Sequence, residues 1–377
     1  MTDFDLSTLR RHPDLEADNL FALDASDRLI LDEAEAAIST AEPGTIVVIG
    51  DNYGALTIGA AALGATGIRS FQDGLVGEAA LRNNAADAGS KGLTVDFRSL
   101  PLQAELIAGA TVVLLQLPRS LAELDEIAGL IARNADPAVT LFAGGRIKHI
   151  ALTMNDVLKK HFGLLDVSLA RQKSRVLIAR EPVSGESSFP VREFNAELGL
   201  WVCAHGSVFA GTKLDLGTRF LLSVLDDAMP KARDAVDLGC GTGILAASLA
   251  RSRPGISVIA TDQSAAAVAS ATATMAANNL EGQVRVVRDD GLASQPDASA
   301  DFIVLNPPFH VGATVHTGLA RGLFRDAARV LRPGGELWTV YNSHLDYRAA
   351  LAGIVGKTRE VARNNKFTVT ASHRSAE

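Results

Sequence analysis

Two apolar runs that end in glycine turns, "TIVVIGDNYG" at 45–54 and "DAVDLGCGTG" at 234–243, open the same series of landmarks twice. Counted from Gly50 and Gly239, the next acid at a strand end falls 23 residues on in both halves, at Asp73 and Asp262. Gln116 of "QLPR" and Asn306 of "NPPF" follow at 66 and 67, and the glycine pairs beginning at Gly144 and Gly334 at 94 and 95. The asparagine pairs Asn83–Asn84 and Asn278–Asn279 match more loosely, at 33 and 39. Two generic domains would share composition but not such constant offsets, so the chain reads as a duplicated domain. Within each half, short β-branched runs alternate with alanine-rich helical stretches, the pattern of a mostly parallel sheet flanked by helices. The expected fold is α/β: two tandem Rossmann-like domains, each with about seven strands. The stretch "EPVSGESSFP" (181–190) has the Pro, Gly and Ser content of a linker and separates domains at 1–186 and 187–377. In the second half, the helix "GLARGLFRDAARVLRPGG" is expected to stop at Pro333, and a final hairpin to turn at Asn364–Asn365.

Composition narrows the class. A chain of 377 residues with 47% hydrophobic and 21% charged residues can bury two ordinary cores. Its apolar runs are too short to span a bilayer, and "MTDFDLSTLRRHPDLEADNL" is too polar and acidic for a secretory signal. A cytoplasmic protein is expected. Two cysteines, Cys203 and Cys240, exclude a disulfide framework and a cysteine-rich zinc site. The net charge of −7 does not by itself favour nucleic acid. Charge is uneven, however: residues 1–190 carry −8 and residues 191–377 carry +1. Between residues 146 and 180 eight basic residues face two acidic ones. That run is either a solvated face or a local docking surface for a polyanion.

The glycine loop of the second half carries the clearest chemistry. Asp237 lies just inside the strand end, and Gly239, Gly241 and Gly243 follow. Glycine is needed where the backbone turns with positive φ or approaches a ligand closely, and the next helix presents free N–H groups there. A phosphate-binding P-loop would need Lys-Ser/Thr after its last glycine, whereas Ile244 and Leu245 stand here. The G-x-G-x-G spacing is not that of a dinucleotide loop, and Asp237 would repel a pyrophosphate. An adenosyl amino acid has no phosphate, and its ammonium group suits a carboxylate, so S-adenosylmethionine is the expected cofactor. Asp262 is placed to take ribose hydroxyls. Asp290, rather than Asp289, is expected to accept from the adenine amine, with Gln263 bordering the ring. The competing reading of these carboxylates is helix capping or solvation.

The run "DFIVLNPPFH" ends in a corner made of Asn306, Pro307, Pro308 and Phe309. Ligands of open α/β sheets gather outside the carboxyl ends of the strands. The side-chain oxygen of Asn306 and the backbone carbonyl of Pro307 can accept both hydrogens of a planar amino group. Pulling that amine toward a tetrahedral shape frees its lone pair for in-line attack on a methyl group, without a strong base. Phe309 can stack on the ring that bears the amine.

The pairing of "DLGCGTG" with "NPPFH" resembles the amino-methylating class of S-adenosylmethionine-dependent methyltransferases. The wider pattern "VFAGTKLDLGTRFLL … VDLGCGTGILA … NPPFH … PGGELW … YNSHLDY … NNKF" resembles the tandem-domain ribosomal RNA guanine-N2 methyltransferases. The likeness spans nearly the whole chain and is strongest over 208–369. It implies two class I methyltransferase domains, the first degenerate and the second catalytic. It also implies methyl transfer to the exocyclic N2 amine of a guanine in ribosomal RNA or a ribosomal subunit precursor. "LRRHP", "NSHLDY" and "NNKFTV" favour the branch acting on large-subunit (23S) RNA. The small-subunit (16S) branch is the alternative within the family, and a non-catalytic, RNA-binding assembly factor the alternative outside it. By resemblance, Asp215 and Gly217 lie beside the cofactor. The chain departs from the pattern at Gly211, where Arg or Ser-Arg is usual, and at Lys213, where glycine is usual.

The remaining candidates are weaker. Cys240 reads as a small residue of the glycine loop and Cys203 as buried. His310 could touch substrate. His149, His161, His205, His316, His344 and His373 show no metal-ligand spacing, so no metal is expected. Trp201 and Trp338 are expected in the core, and the protein is expected to be a monomer.

Overall fold

The computed structural model describes residues 4–17, 19–307 and 317–375. Pro308, Phe309, His310 and His316 lie outside these residues. The chain divides into two units, Met1–Phe189 and Pro190–Glu377, three residues beyond the expected boundary.

The first unit contains β1 (Ile46–Ile49), β2 (Ile68–Phe71), β3 (Phe97–Ser99), β4 (Val112–Gln116), β5 (Thr140–Arg146), β6 (Phe162–Val167) and β7 (Ser174–Pro182). They form one sheet in the order β3-β2-β1-β4-β5-β7-β6, parallel except for β7. The second unit opens with a hairpin, β8 (Val191–Asn195) and β9 (Leu200–Ala204). Its main sheet contains β10 (Asp234–Leu238), β11 (Ser257–Asp262), β12 (Val284–Arg288), β13 (Ala300–Leu305), β14 (Leu331–Asn342), β15 (Thr358–Arg363) and β16 (Phe367–His373). Their order, β12-β11-β10-β13-β14-β16-β15, repeats that of the first unit. The duplication inferred from spacing is therefore a duplication of topology. In each sheet the order reverses between the first and fourth strands, so the glycine turn and the amide corner both leave the sheet at its switch point, where ligands of this architecture bind.

Burial on both faces explains why "DFIVL" has no polar alternation. Phe302 and Val304 pack into one core with Val258, Ala260, Trp338 and Val340. Ile303 and Leu305 pack into the other with Val236, Leu238, Leu337 and Tyr341. A parallel strand covered on both sides reads as a continuous apolar run. The helix Thr317–Val330 ends three residues before Pro333, and Leu331 already pairs with Ala300. Sheet pairing begins before the proline, across an irregular register, so the proline marks the bend rather than the helix end. The closing hairpin turns at Asn364, whose side chain accepts from the Lys366 and Phe367 N–H groups.

Trp338 is buried, but Trp201 is 38% exposed, which corrects its assignment to the core. The reason is an unusual support for β9. The helix Ala265–Ala277 and the residue after it offer Ser270, Thr274 and Asn278 to the free edge of that strand. Asn278 accepts from the Trp201 N–H at 3.0 Å and donates to its carbonyl at 2.7 Å. Thr274 accepts from Cys203 N–H at 3.0 Å, and Ser270 from His205 N–H at 2.9 Å. Four helical residues advance about 6.0 Å and two strand residues about 6.7 Å, so the two ladders stay in step. In the first unit Asn84 does the same for Arg10, with bonds of 3.0 and 2.8 Å to its N–H and carbonyl. Arg10 precedes Asp24 by 14 residues, as Trp201 precedes Asp215. The strand edge is held by its backbone, so the fold leaves the Trp201 side chain outside.

Asn278→Ala removes both bonds to Trp201. It should lower the stability of the second unit by about 1–3 kcal/mol, read from urea unfolding by tryptophan emission, since Trp201 and Trp338 both lie in that unit.

Candidate active site

The glycine loop between β10 and the helix Ile244–Ser252 is built from left-handed glycines. Gly239, Gly241 and Gly243 have φ of 73, 54 and 77°. A Cβ at Gly239 or Gly241 would meet nothing within 4 Å, so these two keep an open cradle. One at Gly243 would lie 2.8 Å from the Met275 methyl and 3.1 Å from Ala271. That glycine serves helix packing. Gly239 and Cys240 donate their N–H groups to the Thr261 carbonyl, and Gly241 donates to an Asp262 carboxylate oxygen at 3.0 Å. The other Asp262 oxygen accepts from Ser264 N–H at 3.0 Å. Asp262 therefore ties the loop to the end of the second strand. Cys240 is buried and its thiol is pushed well up by that burial, which suits a packing role.

Asp237 is fully buried. One oxygen accepts from Ala246 N–H at 2.9 Å, capping a helix whose N-cap is a glycine. The other oxygen is buried without a partner among the described residues. Burial, with Asp262 as a lesser cause, raises its carboxyl to about 7. A buried carboxylate oxygen without a donor is costly. A cationic ligand beside it would remove that cost, so the site fits the ammonium group of an adenosyl amino acid.

Asp289 is buried, and both its oxygens accept from Ser294, so it is engaged in holding its own loop. Asp290 is exposed, the better placed of the two for a ligand. Both follow β12 rather than ending it. Gln263 is half-buried at the end of β11, its carbonyl accepting from Arg288.

At the corner, Pro307 is buried and Asn306 half-buried. The Asn306 amide donates from Nδ2 to Thr218 Oγ1 at 3.1 Å and to Asp215 Oδ2 at 3.4 Å. Its Oδ1 is buried with no partner among the described residues. Asp215 also caps the helix Leu216–Leu222 through the Gly217 and Thr218 N–H groups. A Cβ at Gly217 would lie 3.4 Å from both ends of the Asn306 amide and 3.2 Å from Asp215. Glycine at 217 thus lets the helix start approach the corner. The arrangement fixes which end of the amide is an acceptor: the nitrogen is anchored and the oxygen is left to receive a donor. Of the two departures, Gly211 has φ of 57° with open space around it, and Lys213 is exposed.

The structure thus brings Asp237, Gly239, Gly241 and Gly243 at the end of β10 together with Asp262 at the end of β11, and Asn306 and Pro307 with Asp215 at the end of β13. Thr218 escaped sequence analysis. Its only signal was its place three residues after a capping aspartate, which predicts a bonded backbone but not a hydroxyl reaching β13.

The first unit shows what the same places become without these residues. Gln116, in the position of Asn306, donates from Nε2 to Asp27 and to Ser26 Oγ at the start of the helix Ala25–Thr40. Burial raises the Asp27 carboxyl to about 7. Asp51 of the loop, fully buried, accepts from Leu56 and Thr57 N–H at 2.7 and 2.9 Å. A Cβ at Gly77 would lie 2.5 Å from Gln72 Oε1 and 2.6 Å from the Asn52 carbonyl, so this loop is packed against the neighbouring helix. Among the described residues no three His, Cys, Asp or Glu side chains gather as a metal site, and no helix is long and apolar enough to cross a membrane.

The chain resembles known proteins over nearly its whole length. Residues 1–183 match the RLMG N-terminal domain and residues 199–371 the methyltransferase small domain. A ribosomal RNA large subunit methyltransferase G of Streptomyces coelicolor is 35% identical over 372 residues, covering 96% of each chain. The protein of the same name from Pseudomonas aeruginosa is 34% identical, covering 98% of this chain and 97% of its own. Among solved structures, a T. thermophilus 16S rRNA N2 methyltransferase in complex with AdoMet and guanosine superposes with a TM-score of 0.71 at 23% identity, over 96% of this chain and 97% of its own. That likeness establishes the class I methyltransferase fold of the whole chain. With near-full-length identity above 30% to the large-subunit enzymes, the chain belongs to the ribosomal RNA large subunit methyltransferase G family.

Proposed function

We propose that this protein transfers a methyl group from S-adenosylmethionine to the exocyclic N2 amine of a guanine in large-subunit ribosomal RNA. The observation that carries the reading is the orientation of Asn306. Its amide nitrogen is held by Thr218 and Asp215, and its buried oxygen has no partner among the described residues. An amine donor in the substrate supplies the missing partner.

When bound, S-adenosylmethionine supplies an electrophilic methyl group on a cationic sulfur. The chain's own residues do the rest. Asp237, Gly239, Gly241 and Gly243 form the cradle for the amino acid end of the cofactor. Asp262, Gln263 and Asp290 stand along the strand ends for its ribose and adenine. Asn306 Oδ1 and the Pro307 carbonyl accept the two amine hydrogens, which localises the nitrogen lone pair and aims it. Pro308 and Phe309, assigned to this corner by the sequence, lie outside the described residues. The guanine must be unstacked to reach the corner, a cost of a few kcal/mol that is smallest in loops. Relatives named for the large subunit favour 23S over 16S RNA as substrate. The open cradle favours catalysis over a purely RNA-binding role.

Catalysis is assigned to residues 187–377, with 1–186 as a degenerate copy that helps hold RNA. The packed loop at Asn52 and Gly77 supports loss of the first cofactor site. The basic run at 146–180 supports RNA contact only in part. Lys160, Arg171 and Arg180 are engaged with Asp125, Asp32 and Asp166. Arg146 also pairs, with Asp24 at 3.5 Å, which leaves Lys148 and Lys173, beside it on a cavity of about 470 Å³, as the better candidates.

Two outcomes test the site. Asn306→Ala should lower kcat by about 10²–10³-fold, measured as labelled methyl transfer to unmodified ribosomal RNA. Thr218→Val should lower it about tenfold, the cost of one hydrogen bond, while Thr218→Ser retains activity and cofactor affinity is unchanged in both. Cofactor affinity should also depend on pH through Asp237. Its carboxyl is raised to about 7 in the free protein, and the cofactor's ammonium favours the ionised form. Affinity should level off just above pH 7 and fall by up to about tenfold per pH unit below it, by calorimetry. Asp237→Asn should bind weakly with no such slope.

A further inference from the structure

The outer face of the β8–β9 hairpin has a composition that the fold does not require. Leu200, Val202, Cys203 and Ala204 are buried against the second unit. Outward stand Phe194, 53% exposed, and Trp201, directly paired across the hairpin. Trp201 gives its N–H and carbonyl to Asn278, so the pair is of the non-hydrogen-bonded kind, which brings cross-strand side chains closest. Their ring centroids lie 5.3 Å apart at 60°. The Arg192 guanidinium sits 4.3 Å above the Trp201 ring. Nearby carboxylates are engaged elsewhere. Glu193 accepts from Thr212 Oγ1 at 2.6 Å, and Glu197 pairs with Arg219 at 2.9 Å. Arg192 has no carboxylate partner among the described residues.

Resting on the reading of this protein as an RNA methyltransferase, we propose that Trp201, Phe194 and Arg192 form a stacking platform for an unpaired base of the substrate RNA outside the methylation corner. Exposed aromatic faces take nucleobases without regard to sequence, and an arginine beside them serves the phosphate or stacks in turn. Alternation places Arg192, Phe194, Trp201 and Cys203 on this face and Glu193 on the other, so the charge these paired positions present beside the rings is cationic, which suits a base with its phosphate. One loop joins the hairpin to the site. The chain runs from Ala204 through Phe209, 78% exposed, to Asp215 at Asn306, and the Thr212–Glu193 bond ties this loop back to the hairpin. The first unit provides an internal control. Arg10, held by Asn84 as Trp201 is by Asn278, shows that the support does not need an aromatic side chain.

Trp201 itself reports the contact, because Trp338 is only 4% exposed. Titrating the full-length protein with protein-free large-subunit ribosomal RNA should quench its emission saturably and shield it from acrylamide. Trp201→Ala should weaken RNA binding about 5- to 100-fold, the range for one stacked base, with cofactor affinity unchanged. Trp201→Phe should restore most of the RNA affinity, which separates stacking from misfolding. RNA binding and methylation that persist in Trp201→Ala and Phe194→Ala within twofold, with no emission change in the unsubstituted protein, would overturn the platform and leave the methyltransferase reading intact. Failure of the unsubstituted protein to bind RNA at all would overturn both.

Discussion

A side-chain amide at the end of the fourth strand, locked to the first turn of a distant helix, is the joint on which both halves are built. In the second unit it is Asn306 with Thr218 and Asp215, and in the first it is Gln116 with Asp27 and Ser26. The joint fixes where the helix start meets the switch point of the sheet. Its chemical result differs between the units. Two acceptors hold the shorter asparagine by its nitrogen, and the oxygen is left over for a substrate amine. The longer glutamine reaches into a buried carboxyl and ends in the protein's own polar cluster.

A second constraint is the helix that follows each glycine loop. Its third N–H group needs a carboxylate in both units. The second unit takes it from Asp237 in the strand, below the loop, which leaves the loop bare and open. The first takes it from Asp51 in the loop itself. Moving the acid from strand to loop keeps the helix capped and fills the space a ligand would use. The unpartnered oxygen of Asp237 and that of Asn306 are then two local costs at one strand-end region, the kind of conflict that marks function rather than fold.

Much of this was legible in the residues. Constant offsets to Asp73 and Asp262, and to Gln116 and Asn306, specified a doubled sheet, because strands and turns at a switch point tolerate few insertions. The looser match of the asparagine pairs was real but one place out, since Asn84 rather than Asn83 stands where Asn278 does. Asn84 is the tenth residue of its helix whereas Asn278 follows a helix of 13 residues, so the spacing shifted while the bonds stayed the same. Thr218, the Ser270–Thr274–Asn278 ladder and the exposure of Trp201 were not legible. Each depends on contacts between segments about 70 to 90 residues apart in sequence, and side-chain type alone made Trp201 look like core.

One architecture occurs twice in this chain, and only the second copy is expected to bind S-adenosylmethionine. Calorimetric titration of the full-length protein with S-adenosylmethionine measures this directly. One site per chain is expected, with Asp51→Asn in the first unit leaving stoichiometry and affinity unchanged. Two sites per chain, or one site lost with Asp51→Asn while Asp237→Asn binds normally, would contradict it.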